Sequence, residues 1–296
     1  MNNDISAYLS QLKSELSGSD PATVQDALSD AEEYLRSGVG QMRKDTPNLS
    51  EEAALLRVVE EYGTPAEVAG AYKEIETRVR PTLAPTSKAN GRTAPGGFFG
   101  VFADPRAYGA ILYMIFALVT GIFYFTWVTT GLSLSLGLIV LIIGLPFFAL
   151  FLLSVRGIAL VEGRIVEALL GVRMPRRPMF TKKHPRLWEG FKAIFLDSRS
   201  WFAMVYMVLQ LPLGILYFTI VITMLSLGLA GIALPVAQYG FGLPPIQMDG
   251  TEYFAPGWLM PLLVIVGVLW LIATMHLAKF IGGLHGRFAK VMLVRE

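Results

Sequence analysis

Two hydrophobic patterns divide the chain. Up to about residue 79 apolar positions recur every three or four residues, the spacing of amphipathic helices, whereas beyond residue 98 they merge into long unbroken stretches. Ile5, Tyr8, Leu9, Leu12 and Leu16 make one stripe before a break at Gly18. Asp20-Pro21 then supplies an N-cap and a proline at the first helical position, and Val24, Ala27, Leu28, Ala31, Tyr34 and Leu35 continue on one face; Gly38 and Gly40 are expected to end that helix. Ser50-Glu51-Glu52 opens a third helix with Leu55, Leu56, Val58 and Val59 apolar and Gly63 as its C-cap. Thr64-Pro65-Ala66-Glu67 is a capping box that starts a fourth, through Val68, Ala71, Tyr72 and Ile75. Pro81, Pro85, Pro95, Gly91, Gly96 and Gly97 mark residues 80–97 as a flexible linker.

The unbroken stretches form a repeat. Residues 102–134 align without gaps on 195–227 at an offset of 93, pairing Asp104 with Asp197, Tyr113 with Tyr206, Gly121 with Gly214 and Tyr124-Phe125-Thr126 with Tyr217-Phe218-Thr219, identical at about half the positions. A second offset of 123 pairs Arg156 with Lys279, Ile158 with Ile281 and Gly163-Arg164 with Gly286-Arg287. The second half therefore carries about 30 extra residues between Leu227 and Lys279. Spans long enough for ~30 Å of hydrocarbon are expected at about 107–129, 132–155, 201–223 and 257–278, with an outer loop at about 224–256. The apolar stretch 225–236 is too short to cross by itself and reads as re-entrant, interfacial or an outer helix. The expected fold is thus all-α: a small soluble bundle (1–79), the linker, and a four-span bundle (98–296) of two tandem two-span repeats running in the same sense. Basic amphipathic stretches 158–172 and 281–293 would lie at the membrane surface.

Composition strengthens this division. The chain is 53% hydrophobic and 16% charged, with a mean hydropathy of +0.51, too apolar for a soluble protein of 296 residues. Its net charge of +2 conceals an asymmetry: residues 1–79 hold 15 of the 23 acidic and 7 of the 25 basic groups, leaving a basic membrane body. An acidic head does not suit nucleic acid. The expected outer connections at 129–132 and 223–256 contain no Lys or Arg, while the loop between the halves and the C-terminal tail are rich in both. The positive-inside rule then puts both termini in the cytoplasm of a bacterial cell, with the body in its inner membrane. The start lacks a basic and apolar leader, so the first span is expected to act as the targeting element.

The layout of Tyr8-Leu9-x-x-Leu12, Asp30-Ala31-Glu32-Glu33-Tyr34-Leu35, Ser50-Glu51-Glu52-Ala53 and Tyr62-Gly63-Thr64-Pro65-Ala66-Glu67-Val68-Ala69 resembles the bacterial HAAS signalling domain, with Glu33-Tyr34 where members usually carry an acidic-His pair. The body, through Leu118-x-x-Gly121-x-x-Tyr124-Phe125, the Gly137 to Pro146 segment and Ala168-Leu169-Leu170-Gly171-Val172, resembles the sensor domain at the N-terminus of actinobacterial histidine kinases. Only 17 residues follow Lys279, so the resemblance implies that any catalytic output comes from another chain.

Candidate chemistry is sparse. No cysteine and three separated histidines, His184, His276 and His285, leave little for a metal site, and no Walker loop, GxSxG elbow or HExxH is present. No catalytic residue, cofactor or metal is therefore expected, and the chain reads as a non-enzyme. Asp104-Pro105-Arg106 and Asp197-Ser198-Arg199 read as caps with lipid-anchoring arginines, and the central parts of the expected spans lack charge. The outer loop, with Gln238, Tyr239, Gln247, Asp249, Glu252 and Tyr253, is the candidate for receiving a ligand or partner; a lid or interfacial segment is the other reading. The preferred function is a membrane signalling or accessory protein that senses an envelope signal or membrane partner and relays it through the head. A kinase, transcription regulator or transporter subunit would be the partner beside the bilayer, with a second copy of the chain as a further candidate. The alternative is a structural or transport-associated subunit of a larger envelope complex.

Overall fold

The computed structural model describes residues 2–78, 81, 83, 98–139, 144–175, 198–244, 246–248 and 251–294. Helices α1 (Asn2–Glu15), α2 (Pro21–Asp45), α3 (Glu51–Tyr62) and α4 (Pro65–Arg78) form the head. A 3-10 turn (Phe98–Ala103) leads into α5 (Pro105–Ile139) and α6 (Gly144–Leu170). Then come α7 (Ser198–Pro235), a π-helical turn (Val236–Gly240), strands β1 (Ile246–Met248) and β2 (Thr251–Tyr253), and α8 (Leu259–Leu293). Compactness divides the chain into two units, one comprising Met1–Ala84, Thr129–Tyr206 and Arg287–Glu296, the other Pro85–Val128 and Met207–Gly286.

In the first unit the head closes around the expected stripes: Ile5, Tyr8, Leu12, Leu16, Ala27, Ala31, Leu35, Val39, Ala54, Val58, Val68 and Ala69 form one core. Its helix ends follow the sequence closely. Asp20 accepts from the Ala22 N–H, Ser50 from the Ala53 N–H, and Thr64 and Glu67 exchange capping bonds. Those bonds from Thr64 hold the Glu67 carboxyl below its usual range. Gly63, at φ +107°, ends α3 and gives its carbonyl to the Tyr8 hydroxyl at 2.8 Å. Burial, then the neighbouring Tyr62 and Glu67, push the Tyr8 phenol up to about 12. One expected end is corrected: α2 runs through Gly38 and Gly40 to Asp45. Gly38 serves close approach instead, since a Cβ there would meet Val58 at 2.8 Å. The same unit buries Leu152, Val155 and Val166 of α6 and the following Met174.

Among the described residues, α5, α6, α7 and α8 are long and apolar enough to cross a membrane, which fits an all-α, multi-pass membrane protein. All four are longer than the expected spans, and the second is displaced: residues 132–139 belong to α5, and α6 starts at Gly144 instead of 132. The stretch 129–132, expected to turn, is helical within α5; Gly131 there accommodates the Phe151 ring, which a Cβ would meet at 2.2 Å. Threonine and glycine alone do not break a helix whose backbone has no water to bond to. Likewise 225–235 continues α7 instead of re-entering, and the amphipathic stretches are the ends of α6 and α8, not separate surface segments. At ~1.5 Å per residue, the 38 residues of α7 far exceed the hydrocarbon thickness.

In the second unit α5 and α7 meet backbone to backbone. A Cβ on Gly121 would lie 2.6 Å from the Gln210 carbonyl oxygen, and one on Gly214 2.3 Å from that of Ala117. Positions 117 and 210, like 121 and 214, are 93 apart. Each segment thus presents a small-residue notch to the other at matching positions. In the same unit Val101, Ala107, Ile272 and Met275 pack as an apolar cluster.

Candidate functional site

The expected outer-loop site is only partly brought together. Gln238, on the π turn, is buried, and its amide clips the chain at Ala255, donating to the carbonyl at 2.8 Å and accepting from the N–H at 3.0 Å. Both ends of that amide are spent on holding the loop, so Gln238 is a brace. Tyr239 beside it is exposed. Gln247 pairs with Glu252, and Tyr253 with Ile246, across the antiparallel hairpin; the side chains of Gln247, Glu252 and Tyr253 and all of Asp249 lie outside the described residues.

A denser polar constellation lies within the second unit. The Gln210 amide nitrogen donates to the Tyr113 hydroxyl at 3.1 Å, which is 2.6 Å from His285 Nε2; the Tyr217 hydroxyl reaches His285 Nδ1 at 3.2 Å. All four side chains are buried, and Gln210 Oε1 has no hydrogen-bond partner. These residues come from α5, α7 and α8. Tyr113 stands two turns from the Gly121 notch and Gln210 one turn before the Gly214 notch, so close backbone approach draws the polar groups together.

An analogous contact occurs within the first unit, where the Tyr206 hydroxyl donates to Glu162 Oε1 at 2.8 Å in a buried setting and the Phe288 ring stacks on Tyr206 at 5.5 Å. Tyr113 and Tyr206 are 93 residues apart, and Glu162 and His285 are 123 apart, the two offsets read from the sequence. The pairing of Gly163-Arg164 with Gly286-Arg287 stops one residue short of this match. That neighbouring position was the available signal. It was missed because His and Glu share no identity and because both lay outside the expected spans.

Charges sit at helix ends. Asp104 accepts from the Arg106 N–H at 3.0 Å, as expected of a cap, and takes Lys279 Nζ at 2.5 Å. Burial works to raise the Asp104 carboxyl, but its bonds with Lys279 and the Arg106 N–H, and both positive charges, outweigh it and hold the group below the carboxylate range. His276 stacks on Phe98 and is bonded to the Ile272 carbonyl of its own helix, which accounts for it structurally.

Within the first unit the head is also latched to the body. Lys290 near the end of α8 binds Asp20 at 2.5 Å, and Arg173, just past α6, lies 4.0 Å from Asp26. Thr23, Gln25 and Ser29, around Asp26 on α2, are buried although polar.

A family model described as Putative sensor matches residues 113–293, more than half of the 296-residue chain. The chain belongs to this family. The resemblance of the body to a sensor domain is thereby borne out. Neither the curated proteins nor the solved structures give a match. The Sensor-family region opens at Tyr113 and takes in Glu162, Tyr206, Gln210, Tyr217, His285 and Lys290, while the four head helices precede it. The Tyr113–Gln210–Tyr217–His285 and Tyr206–Glu162 contacts, and one partner in each latch, therefore belong to the Sensor-family part of the chain. Among the described residues no group of His, Cys, Asp and Glu could hold a metal.

Proposed function

We propose that the chain is a non-enzymatic bacterial inner-membrane sensor that relays the state of its membrane body through a HAAS-like cytoplasmic head. The observation that carries this reading is the latch: Lys290 and Arg173, at the ends of body segments, hold Asp20 and Asp26 on the head's second helix. A shift of α8 along or about its axis would move Lys290 with it and change what α2 exposes. The open groove beside that helix, lined by Asp30, Glu33, Tyr34, Glu67 and Tyr72, is acidic and aromatic and suits a basic partner segment. In this reading the tandem repeat supplies the body with two similar halves, and the outer hairpin braced by Gln238 receives the signal.

The chain lacks cysteine, so a cysteine pair replacing Asp20 and Lys290 gives a clean lock. Bridging of the pair by a short added bismaleimide, which needs no oxidant and spans the reach of the Asp–Lys contact, is expected in most of the protein in native membranes. Mild-detergent capture should then recover a kinase, transcription regulator or transporter subunit with the unlocked chain, but much less with the locked or head-deleted chain. Recovery of the same partner at fixed stoichiometry without the head would overturn the relay and favour a structural or transport-associated subunit.

A further inference from the structure

The juxtaposition of His285, Tyr113, Tyr217 and Gln210 points, we propose, to a proton-binding site inside the membrane body, in which Gln210 is the two-way partner that lets the buried imidazole take up a proton. Buried ionisable groups within membrane segments are expensive to keep, and they mark proton or ligand sites when hydrogen-bonded partners surround them. Here the partners form an ordered chain. Gln210 Nε2 donates to the Tyr113 oxygen, and the Tyr113 hydroxyl donates to His285 Nε2 across 2.6 Å. That assigns the neutral imidazole its hydrogen on Nδ1, donated to the Tyr217 oxygen at 3.2 Å.

A proton arriving at Nε2 reverses this direction. The Nε2–H then donates to the Tyr113 oxygen, and the Tyr113 hydrogen needs a new acceptor. Gln210 supplies one by turning its amide over, bringing Oε1 to where Nε2 stood. Oε1 is buried and has no hydrogen-bond partner, so the turn breaks no bond at that atom. Leucine or methionine could not both donate in one state and accept in the other. Nδ1–H keeps Tyr217 throughout. One proton enters, none leaves, and the positive charge rests on the imidazolium.

The groups facing His285 include the Tyr113 phenol from α5 and, from α7, the Tyr217 phenol and Gln210 amide; on α8 the neighbouring charges are the exposed Arg287 and Lys279, the latter paired with Asp104. An independent observation strengthens the assignment. At the position 123 residues earlier stands Glu162, also titratable, buried and bonded to the tyrosine 93 residues after Tyr113. Ordinary apolar packing does not call for a titratable group at both places. The site is read from geometry alone and stands whether or not the head relays a signal.

The test is solid-state NMR of the full chain in liposomes with labelled histidine and glutamine side chains. His184→Gln and His276→Gln reduce the three histidines to one. The expected result is a neutral Nδ1–H imidazole near pH 7 that converts to imidazolium on acidification, with the Gln210 amide resonance moving at the same midpoint. Gln210→Leu and Gln210→Met should each lower that midpoint by about one pH unit or more, because the charged state loses its acceptor. A His285 signal that stays neutral down to the pH at which the bundle unfolds would overturn the proposal. So would a midpoint unchanged in either variant, or a titration that the wild-type Gln210 resonance does not follow. The wild-type co-titration decides the matter even if neither variant folds.

Discussion

Tyr113 and Tyr206 stand at matching places in two related stretches of sequence, each buried and each holding a titratable group, yet one holds a histidine and the other a glutamate. Around His285 the environment is a polar chain that adds Gln210 and Tyr217; at Tyr206 the stacked Phe288 ring supplies apolar cover. The difference teaches that two stretches alike in sequence can each keep a buried hydrogen-bonding tyrosine while the chemistry of the group it holds differs. The backbone geometry that supports the tyrosines, in contrast, stays reciprocal: Gly121 meets residue 210 and Gly214 meets residue 117.

That reciprocity can be broken directly, with the largest effect. Gly121→Leu and Gly214→Leu each force a side chain into a facing carbonyl, which cannot move aside as a rotamer can, and overpacking of this kind costs about 3 kcal/mol or more. Both variants should lose folded protein to a similar degree, measured as monodisperse recovery and thermal midpoint in detergent. Gly131→Ala, whose nearest neighbours are atoms of the Phe151 ring and not backbone, should be milder. A large loss in one leucine variant with none in the other would show that the two notches are not equivalent.

How much of this was legible in the sequence differs between the same regions. Head caps at Asp20, Ser50 and Thr64 were readable because a cap is written within four residues, whereas Gly38 misled because its role depends on Val58 across the bundle. In the body, four apolar helices were evident, but their ends were not. Thr129, Thr130 and Gly131 look like a turn only if water is available to the backbone, and the continuation of α7 through 225–235 could not be told from a separate segment by hydropathy. The His285 network was invisible to pattern reading because it joins residues 68 to 172 positions apart. The outer loop drew attention as a break in the repeat, and Gln238 proved to be its brace.

A smaller effect sharpens the contrast between the two tyrosine sites. Tyr113→Phe removes the acceptor of Gln210 and a partner of His285 Nε2, while Tyr206→Phe removes the bond to Glu162 and keeps the ring that stacks on Phe288. Each buried polar group left without its bond costs about 1–3 kcal/mol. Tyr113→Phe should therefore lower stability by roughly twice as much as Tyr206→Phe, read from denaturant or thermal unfolding in the same detergent. Equal losses would mean that the Gln210 and His285 bonds do not act together and that the two sites differ only in name.

The smallest effect belongs to the feature that only the second stretch has. Gln238→Leu deletes both bonds to Ala255 and should free the hairpin of β1 and β2 locally, at a cost of about 1–2 kcal/mol and with little change in the unfolding of the whole bundle. Hydrogen–deuterium exchange separates the two: amides of residues 246–253 should exchange at least several-fold faster, while those around Tyr113, Gln210 and Tyr217 keep their protection. The reasoning is that the brace acts on a short segment joined to α7 and α8 at its ends, whereas the polar network is secured by the glycine notches. Exchange that rises equally around Tyr113 would show that the outer loop and the buried network open as one cooperative unit, which would make the loop part of the site after all.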